Sequence, residues 1–399
     1  MGCRAIEYGM WCILNEHRRG KEGTMKVSRN VLYAALLMSL ALTSCGADGD
    51  SGDQGSLNQH GAFDATMVEG CIQGDFNPYW GDLHAHTSYS DGELTPADAF
   101  AYGRDEGGLD ILVITDHLEQ LYLPFPALDK WQECRERADE ANVPGSFIAD
   151  CGFEYGSGFS GCFQSTGHNN VFFSDYLFTM IQLNFHEFYQ SLVDCPTCIG
   201  QFNHPGDPTE LNWNGFEYHA DVDEKMNLFE FNSPSPWGFF FQALDAGWHI
   251  SPMYNQDNHD PDWGTKNEHR SGFYLADLTR EDLKEAMAAR RSFMTTDKNA
   301  AIRAMAFGTC WMGSILSGSF PQEIALQVEA FDLDAGDGLN IIEIYGPGEE
   351  LLDSFDCGET ETCQATFTVD ASSKKYFVAK ASEVDGDWLV AAPVWIVPE

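Results

Sequence analysis

From about residue 63 to residue 297 the chain alternates short, nearly continuous apolar runs with longer segments whose apolar positions recur every three or four residues. A short apolar run bounded by Gly, Asn or Asp is the pattern of a strand buried on both faces. The wider spacing is that of a helix with one buried stripe. Runs at 109–115, 147–153, 171–173, 199–203, 226–231 and 249–254 predict buried strands, and stretches at 95–106, 130–141 and 280–290 predict helices. The first helix opens with Thr95-Pro96, a capping hydroxyl followed by a residue whose fixed φ suits the first helical position. This alternation predicts an α/β fold of βα units around a parallel sheet or barrel.

Beyond residue 298 the period changes to two. Ile324, Leu326, Val328 and Ala330 alternate with polar residues, and further strand-type runs follow at 339–345, 363–369, 376–381 and 388–397 with no helical stretch between them. Residues 298–399 therefore predict a small all-β sandwich. Upstream, the chain reads as processing signals. Lys26 and Arg29 precede an apolar run from Val31 to Leu42, too short to span a bilayer and suited to the core of a signal peptide. The run ends in Leu42-Thr43-Ser44-Cys45, which resembles the bacterial lipobox. That resemblance implies a lipid on Cys45 and anchorage to the envelope, with outer-membrane sorting favoured because no Asp follows the cysteine. An ordinary secretory signal is the alternative. The expected organisation is an N-terminal extension at 1–24 preceding the true start Met25, a leader at 25–44, a Gly/Asp/Ser-rich tether at 45–62, a domain at 63–297 and the sandwich at 298–399.

Charge narrows the partners. Lys and Arg number 22 against 62 Asp and Glu, a net charge of −40 over 399 residues, which repels phosphate backbones and anionic headgroups. Nucleic acid is thereby set aside, membrane contact is expected only through the Cys45 lipid, and the expected partner is a small-molecule substrate. Export makes disulfides the default use of cysteine. Close spacing favours Cys195 with Cys198, Cys357 with Cys363 and Cys151 with Cys162, leaving Cys71, Cys134 and Cys310 unassigned.

The chemical signal lies at the ends of the predicted strands. In Gly81-Asp82-Leu83-His84-Ala85-His86, followed by Ser90-Asp91-Gly92, two imidazoles at i and i+2 of an extended segment share a face and can grip one metal. Asp116-His117 ends the 109–115 run. Adjacent residues face opposite ways, so His117 is expected as a ligand and Asp116 as the group that orients the ligands. Glu154, His168, His204 and the pair Asp257 and His259 each stand beside a further apolar run. His60, His186, His219, His249 and His269 fit no such pattern.

This ordered set, H-x-H with S-D-G, then T-D-H, a lone Glu, two internal His and D-x-H, resembles the PHP (polymerase and histidinol phosphatase) superfamily of metal-dependent hydrolases. The segments Arg270-Ser271-Gly272-Phe273-Tyr274 and Ala289-Arg290-Arg291-Ser292-Phe293, and the terminal Ala392-Pro393-Val394-Trp395, resemble its CehA/McbA, or carbaryl-hydrolase-like, branch. The resemblance implies a distorted (β/α)7 barrel followed by the β-sandwich. It also implies up to three metals. His84, His86, Glu154 and Asp257 would hold the first, the bridging Glu154 with His168 and His204 the second, and Asp91, His117 and His259 the third. Six imidazoles with three carboxylates suit Zn, Mn or Fe. Two or three such ions would activate a hydroxide and polarise the scissile group, with Glu154, Asp116 and Arg270 as the expected catalytic residues; Arg270 either meets an anionic substrate or forms a structural ion pair with a carboxylate. A small phosphoester is the favoured substrate. A carbamate, amide or carboxylic ester is the second reading, for which aromatics such as Tyr89, Tyr155, Phe159, Trp237, Phe240 and Trp263 could wall a pocket. A non-enzymatic surface-binding lipoprotein is the third.

Overall fold

Ile111–Ile114 is buried at every position, as its unbroken apolar run requires, and lies between two parallel neighbours. In chain order the strands are β1 (Asn77–Asp82), β2 (Ile111–Ile114), β3 (Ile148–Cys151), β4 (Phe153–Gly156), β5 (His168–Phe172), β6 (Ile199–Phe202), β7 (Met226–Glu230), β8 (Ser251–Met253), β9 (Arg270–Leu275) and β10 (Ser292–Thr295). The computed structural model describes residues 68–123, 128–156, 165–179, 185–232, 236–334 and 336–398, all belonging to the unit Ala65–Glu399. The expected extension, leader, Cys45, the tether, Phe159 and Cys162 lie outside the described residues. No helix among the described residues is long and apolar enough to cross a membrane.

The C-terminal strands are β11 (Ala301–Ala306), β12 (Cys310–Trp311), β13 (Ile315–Gly318), β14 (Glu323–Phe331), β15 (Leu339–Gly346), β16 (Glu350–Thr360), β17 (Thr362–Asp370), β18 (Lys375–Glu383), β19 (Trp388–Ala391) and β20 (Val394–Pro398). Three sheets result among the described residues. One follows the order β13-β20-β18-β19-β10-β9-β1-β2-β3, with β15 on β18 and β16 on β15; a second is β12-β11-β14-β17; a third is β4-β5-β6-β7-β8. The β14 side chains Ile324, Leu326, Val328 and Ala330 are buried and their neighbours are more exposed, as the period of two predicts. The first sheet passes from β9 through β10 to β19, so hydrogen bonding runs across the boundary expected at 297/298.

Helices cover the sheets. α1 (Pro96–Asp105) begins as predicted, with Thr95 and Asp98 exchanging side-chain and backbone hydrogen bonds in a capping box. α2 is the single turn Leu118–Leu121, α3 spans Leu128–Ala141, α4 Phe185–Asp194, α5 Pro236–Ala246 and α6 Arg280–Ala288. α4 and α5 escaped the sequence reading: α4 does carry the helical period, with Phe185, Phe188, Tyr189 and Leu192 as its buried positions, whereas in α5 the aromatic run Phe239-Phe240-Phe241 masks it. Their rings form core: Tyr155 stacks on Phe188, and Phe240 packs on Phe229 and Phe231. Trp263 is fully buried, while Trp237 stands against Tyr345 and Trp388. These aromatics therefore build the interior rather than the apolar pocket considered for a carbamate or ester.

Four disulfides occur among the described residues. Cys195–Cys198 and Cys357–Cys363 match expectation, and Cys71–Cys310 joins two of the unassigned cysteines. Cys151 pairs with Cys134, not with Cys162, because α3 carries Cys134 across β3 and spatial packing outranks sequence proximity.

Candidate metal centre

Each motif residue leaves a strand end, and two bridges bring those ends together. Ala85 pairs with Asn258 and His117 with Glu154, each in parallel register, so the segments after β1 and β2 meet those of β8 and β4. The period of two places His84 and His86 on one side of Ala85, and their Nε2 atoms stand 3.2 Å apart. Asp257 Oδ1 lies 3.3 Å from the first and 3.2 Å from the second.

Glu154 is the shared element. Its Oε1 is 3.4 Å from His84 Nε2, 3.3 Å from His168 Nδ1 and 3.3 Å from His204 Nε2. Its Oε2 is 2.8 Å from His117 Nδ1 and 3.5 Å from His86 Nε2. Five imidazoles thus converge on one buried carboxylate. On the outer side, Asp91 Oδ1 is 3.5 Å from His117 Nε2 and 3.3 Å from His259 Nε2. Three groups therefore have donor atoms close enough to share an ion: His84, His86 and Asp257; Glu154, His168 and His204; and His86, Asp91, His117 and His259. All nine expected ligands fall in these groups, with His86 also joining the third.

The scaffold beneath them is polar and buried. Asp116 accepts from Thr87 N and Oγ1, both at 2.7 Å, and from Ser90 N and Oγ at 3.1 and 2.5 Å. Its carboxylate fixes the turn that presents Asp91 and holds Ser90 Oγ, which stands 3.2 Å from His86 Nδ1; acting through these groups makes it a positioning residue. Gly92 closes that turn: a Cβ there would come within 2.7 Å of the His86 and Thr87 backbone. Arg270 is 4 % exposed and donates to the carbonyls of Gly264, Asn267 and His269. Its guanidinium is occupied in holding that loop, in place of the substrate contact or ion pair expected from sequence.

Other participants carry no motif. Glu230 is fully buried at the end of β7, accepts from Asn255 Nδ2 and the His204 backbone N–H, and lies 2.8 Å from His84 Nδ1. It fixes the His84 ring so that Nε2 faces the centre. Asn203 Nδ2 donates to Glu154 Oε1 at 2.9 Å. Glu210 Oε1 stands 3.6 Å from both His168 Nδ1 and His204 Nδ1. A carboxylate inside the apolar run Met226-Asn227-Leu228-Phe229-Glu230-Phe231 was a readable signal; Glu210 had none.

Backbone strain concentrates on the same residues. His204 has φ 33° and Asp257 φ 45°, left-handed values that a side chain disfavours and that persist only where the surroundings enforce them. Residues Trp213, Asn214 and Gly215 form a left-handed turn after β6, tied back by Trp213 Nε1 to Asn169 Oδ1.

Electrostatics show whether cations fit. Burial opposes charge on His204, but its bond to Glu154 and the charges of Glu154, Glu210 and Asp257 outweigh that and raise its pKa to about 9. Burial likewise opposes, and is outweighed by, the carboxylates Glu230, Asp257 and Glu154 on His84, and Glu154 on His117; both rise well above the usual value. His86 goes the other way, to about 4, through burial and the charges of His117 and His259. Glu154, despite burial, is held well below the carboxylate range by His84, His117 and His168. Without metal, protons on the imidazoles are what neutralise the carboxylates. His204 Nδ1 and Glu210 Oε2 are buried with no hydrogen-bond partner. Orphaned donor atoms beside clustered carboxylates fit divalent cations, and two or three such ions would offset Asp91, Glu154, Glu210, Glu230 and Asp257.

Metal must displace those protons. With the pKa values of His84, His117, His204 and His259 all raised, metal uptake at pH 7 is expected to release roughly three to four protons per chain. Calorimetric titration in two buffers of different ionisation enthalpy reads this directly, and a heat independent of buffer would refute it. In the metal-free protein a raised His204 stabilises the fold fully below pH 6.5, and this contribution is lost as pH rises through about 9.

No protein-family model and no curated protein sequence matches the chain. Among solved structures it is similar to the lesion-specific endonuclease PfuEndoQ from Pyrococcus furiosus, at 14 % identity and TM-score 0.36, covering 66 % of this chain and 62 % of the endonuclease. It is also similar to a lytic polysaccharide monooxygenase from Jonesia denitrificans, at 12 % identity and TM-score 0.17 over 23 % of this chain and 61 % of that one. A third, the endo-beta-1,4-mannanase from Thermotoga petrophila, has 7 % identity and TM-score 0.23 over 80 % of this chain and 99 % of the mannanase. The chain thus spans less than two thirds of the endonuclease and of the monooxygenase. At such scores the overall arrangements diverge, and the reading of the centre rests on its own residues.

Proposed function

We propose that this protein is a metal-dependent hydrolase of the PHP type, CehA/McbA-like in its branch, acting on a small phosphoester. The observation that carries the reading is the convergence of three candidate cation sites in one cluster, with five imidazoles within 3.5 Å of Glu154. The nine residues that carry the sequence resemblance are the ones assembled there.

Divalent ions held by these residues would lower the pKa of a water to about 7 and polarise the scissile group. The chain's own residues do the rest. His84, His86 and Glu154 form a floor with side chains at most 1 % exposed, whereas Asp257, His259 and Asp91 are 32, 36 and 40 % exposed. Substrate therefore enters from the Asp91 side and meets the floor last. Glu230 and Asn203 hold the floor in register, and Asp116 holds the rim.

The net charge of −40 favours a small substrate over a polyanion. Four disulfides support export into an oxidising compartment, consistent with anchorage through a lipid on Cys45. We read the bridged sheets around the centre as the distorted barrel and the strands beyond β10 as the sandwich.

The test is turnover by protein reconstituted with Zn, Mn or Fe. Hydrolysis of p-nitrophenyl phosphate or bis-p-nitrophenyl phosphate is expected. Turnover of 1-naphthyl N-methylcarbamate alone would move the substrate class to carbamates. Inactivity on all three with every metal would refute the hydrolase and favour a binding protein.

A further inference from the structure

A second cluster of acidic side chains lies among the C-terminal strands and shares no residue with the imidazole centre. β18 ends at Glu383, and its pairing with β19 is closed by Glu383 N donating to the Asp387 carbonyl at 2.8 Å. Glu383, Asp385 and Asp387 thus occupy alternate positions of one hairpin turn. One oxygen from each lies within 4.8 Å of one from each of the others.

Glu383 is only 3 % exposed, yet neither of its carboxylate oxygens has a hydrogen-bond partner. Asp332, just beyond β14, is 4 % exposed; its Oδ1 accepts from Asp334 N, while its Oδ2 is equally orphaned. Asp297, following β10, adds its charge to both. Lys298 offers no relief, because it pairs with Asp334 at 2.6 Å and Glu268 at 3.7 Å.

Burying a carboxylate without a partner is strongly unfavourable, so the turn needs either a proton or a cation. Burial, then Asp332, Asp297, Asp385 and Asp387, push the Glu383 carboxyl up to about 9, which is the cost of leaving the cluster without a cation. A single proton gives one donor for three orphaned acceptors, Glu383 Oε1, Glu383 Oε2 and Asp332 Oδ2. One hard cation held by the turn would satisfy Glu383 and offset the nearby Asp332 charge. Calcium binds six to eight oxygens at about 2.4 Å, so ligand oxygens on opposite sides lie about 4.8 Å apart. With no imidazole or thiol among the donors, the set favours calcium over the metals suited to the first centre.

We propose that Glu383, Asp385 and Asp387 hold one calcium ion that fastens the β18–β19 hairpin beside the buried Asp332 at the exit of β14. Asp387 Oδ1 also accepts from Thr296 Oγ1 at 2.6 Å, so the pin reaches the exit of β10, in the sheet that carries β1. Its role is mechanical, not catalytic.

The test is thermal unfolding of the full chain with and without millimolar calcium, beside terbium luminescence sensitised by Trp388. Calcium is expected to raise the Tm by ~5 °C. The gain should vanish in Glu383→Gln and survive in Glu154→Ala. Asp385→Asn, at an exposed position of the turn, serves should Glu383→Gln fail to fold; it is expected to weaken calcium affinity at least tenfold. A Tm indifferent to calcium would overturn the proposal. So would a gain that persists in Glu383→Gln, a calcium affinity unchanged in Asp385→Asn, or a gain lost in Glu154→Ala.

Discussion

Replacing Glu154 with glutamine is expected to strip the centre of metal and lower turnover of bis-p-nitrophenyl phosphate roughly a thousandfold, the scale of losing a group that stabilises developing charge. The amide fills the same volume in a site 1 % exposed, so the fold should persist while the shared charge disappears. Loss of that charge also removes the leading source of the raised pKa of His117, and part of that of His84, where Glu230 and Asp257 come first; both should titrate closer to neutrality in the metal-free variant. Glu230→Gln provides the contrast. Glu230 bonds His84 Nδ1 at 2.8 Å, on the side of the ring opposite the Nε2 that faces Glu154 and Asp257, so its loss should weaken metal affinity by about 10–100-fold, with turnover restored by excess metal. Metals per chain by plasma mass spectrometry, read beside the rates, separate the two variants. Full metal content and full turnover in Glu154→Gln would end the bridging model.

The second large effect is on stability. Cys71–Cys310 closes a loop with a sequence separation of 239, and cross-linking residues so far apart removes enough freedom from the unfolded chain to be worth about 5 kcal/mol. The shorter Cys134–Cys151 loop, separation 17, is worth about 3 kcal/mol on the same basis. The segment around Cys71 is further held by Ile72 N to Ser314 Oγ at 3.0 Å and by Trp311 Nε1 to the Gly74 carbonyl at 3.1 Å. Cys71→Ala with Cys310→Ala should therefore lower the Tm by roughly 10 °C without detaching the segment entirely. Thermal unfolding of the double variant decides it. A midpoint within a degree or two of the parent would show that these hydrogen bonds hold the segment alone.

The centre was legible because its chemistry needs fixed spacings. His84 with His86, and Asp257 with His259, declare themselves through the two-residue period of extended chain, and the apolar runs before His117, Glu154 and His204 place each at a strand end. Asp116 and Arg270 show the limit of that logic. Their types suit catalysis, but whether a carboxylate faces substrate or a serine hydroxyl depends on packing between distant segments. Glu210 and Asn203 were unreadable for the same reason. The pairing of Cys134 with Cys151 follows from how α3 crosses β3, a tertiary fact. Glu383 and Asp332 lie 51 positions apart, and the sequence shows only a turn where the fold brings buried carboxylates together.

The strand Ser292–Thr295 has β9 on one side and β19 on the other. A polypeptide that stopped just after it would present a bare row of peptide groups, a template on which a second copy could add itself. The strands beyond β10 thus act as a seal on the sheet that leads into His84 and His86. During synthesis that edge stays open until Ala391 has emerged, so the interval before β19 docks is one of exposure to self-association.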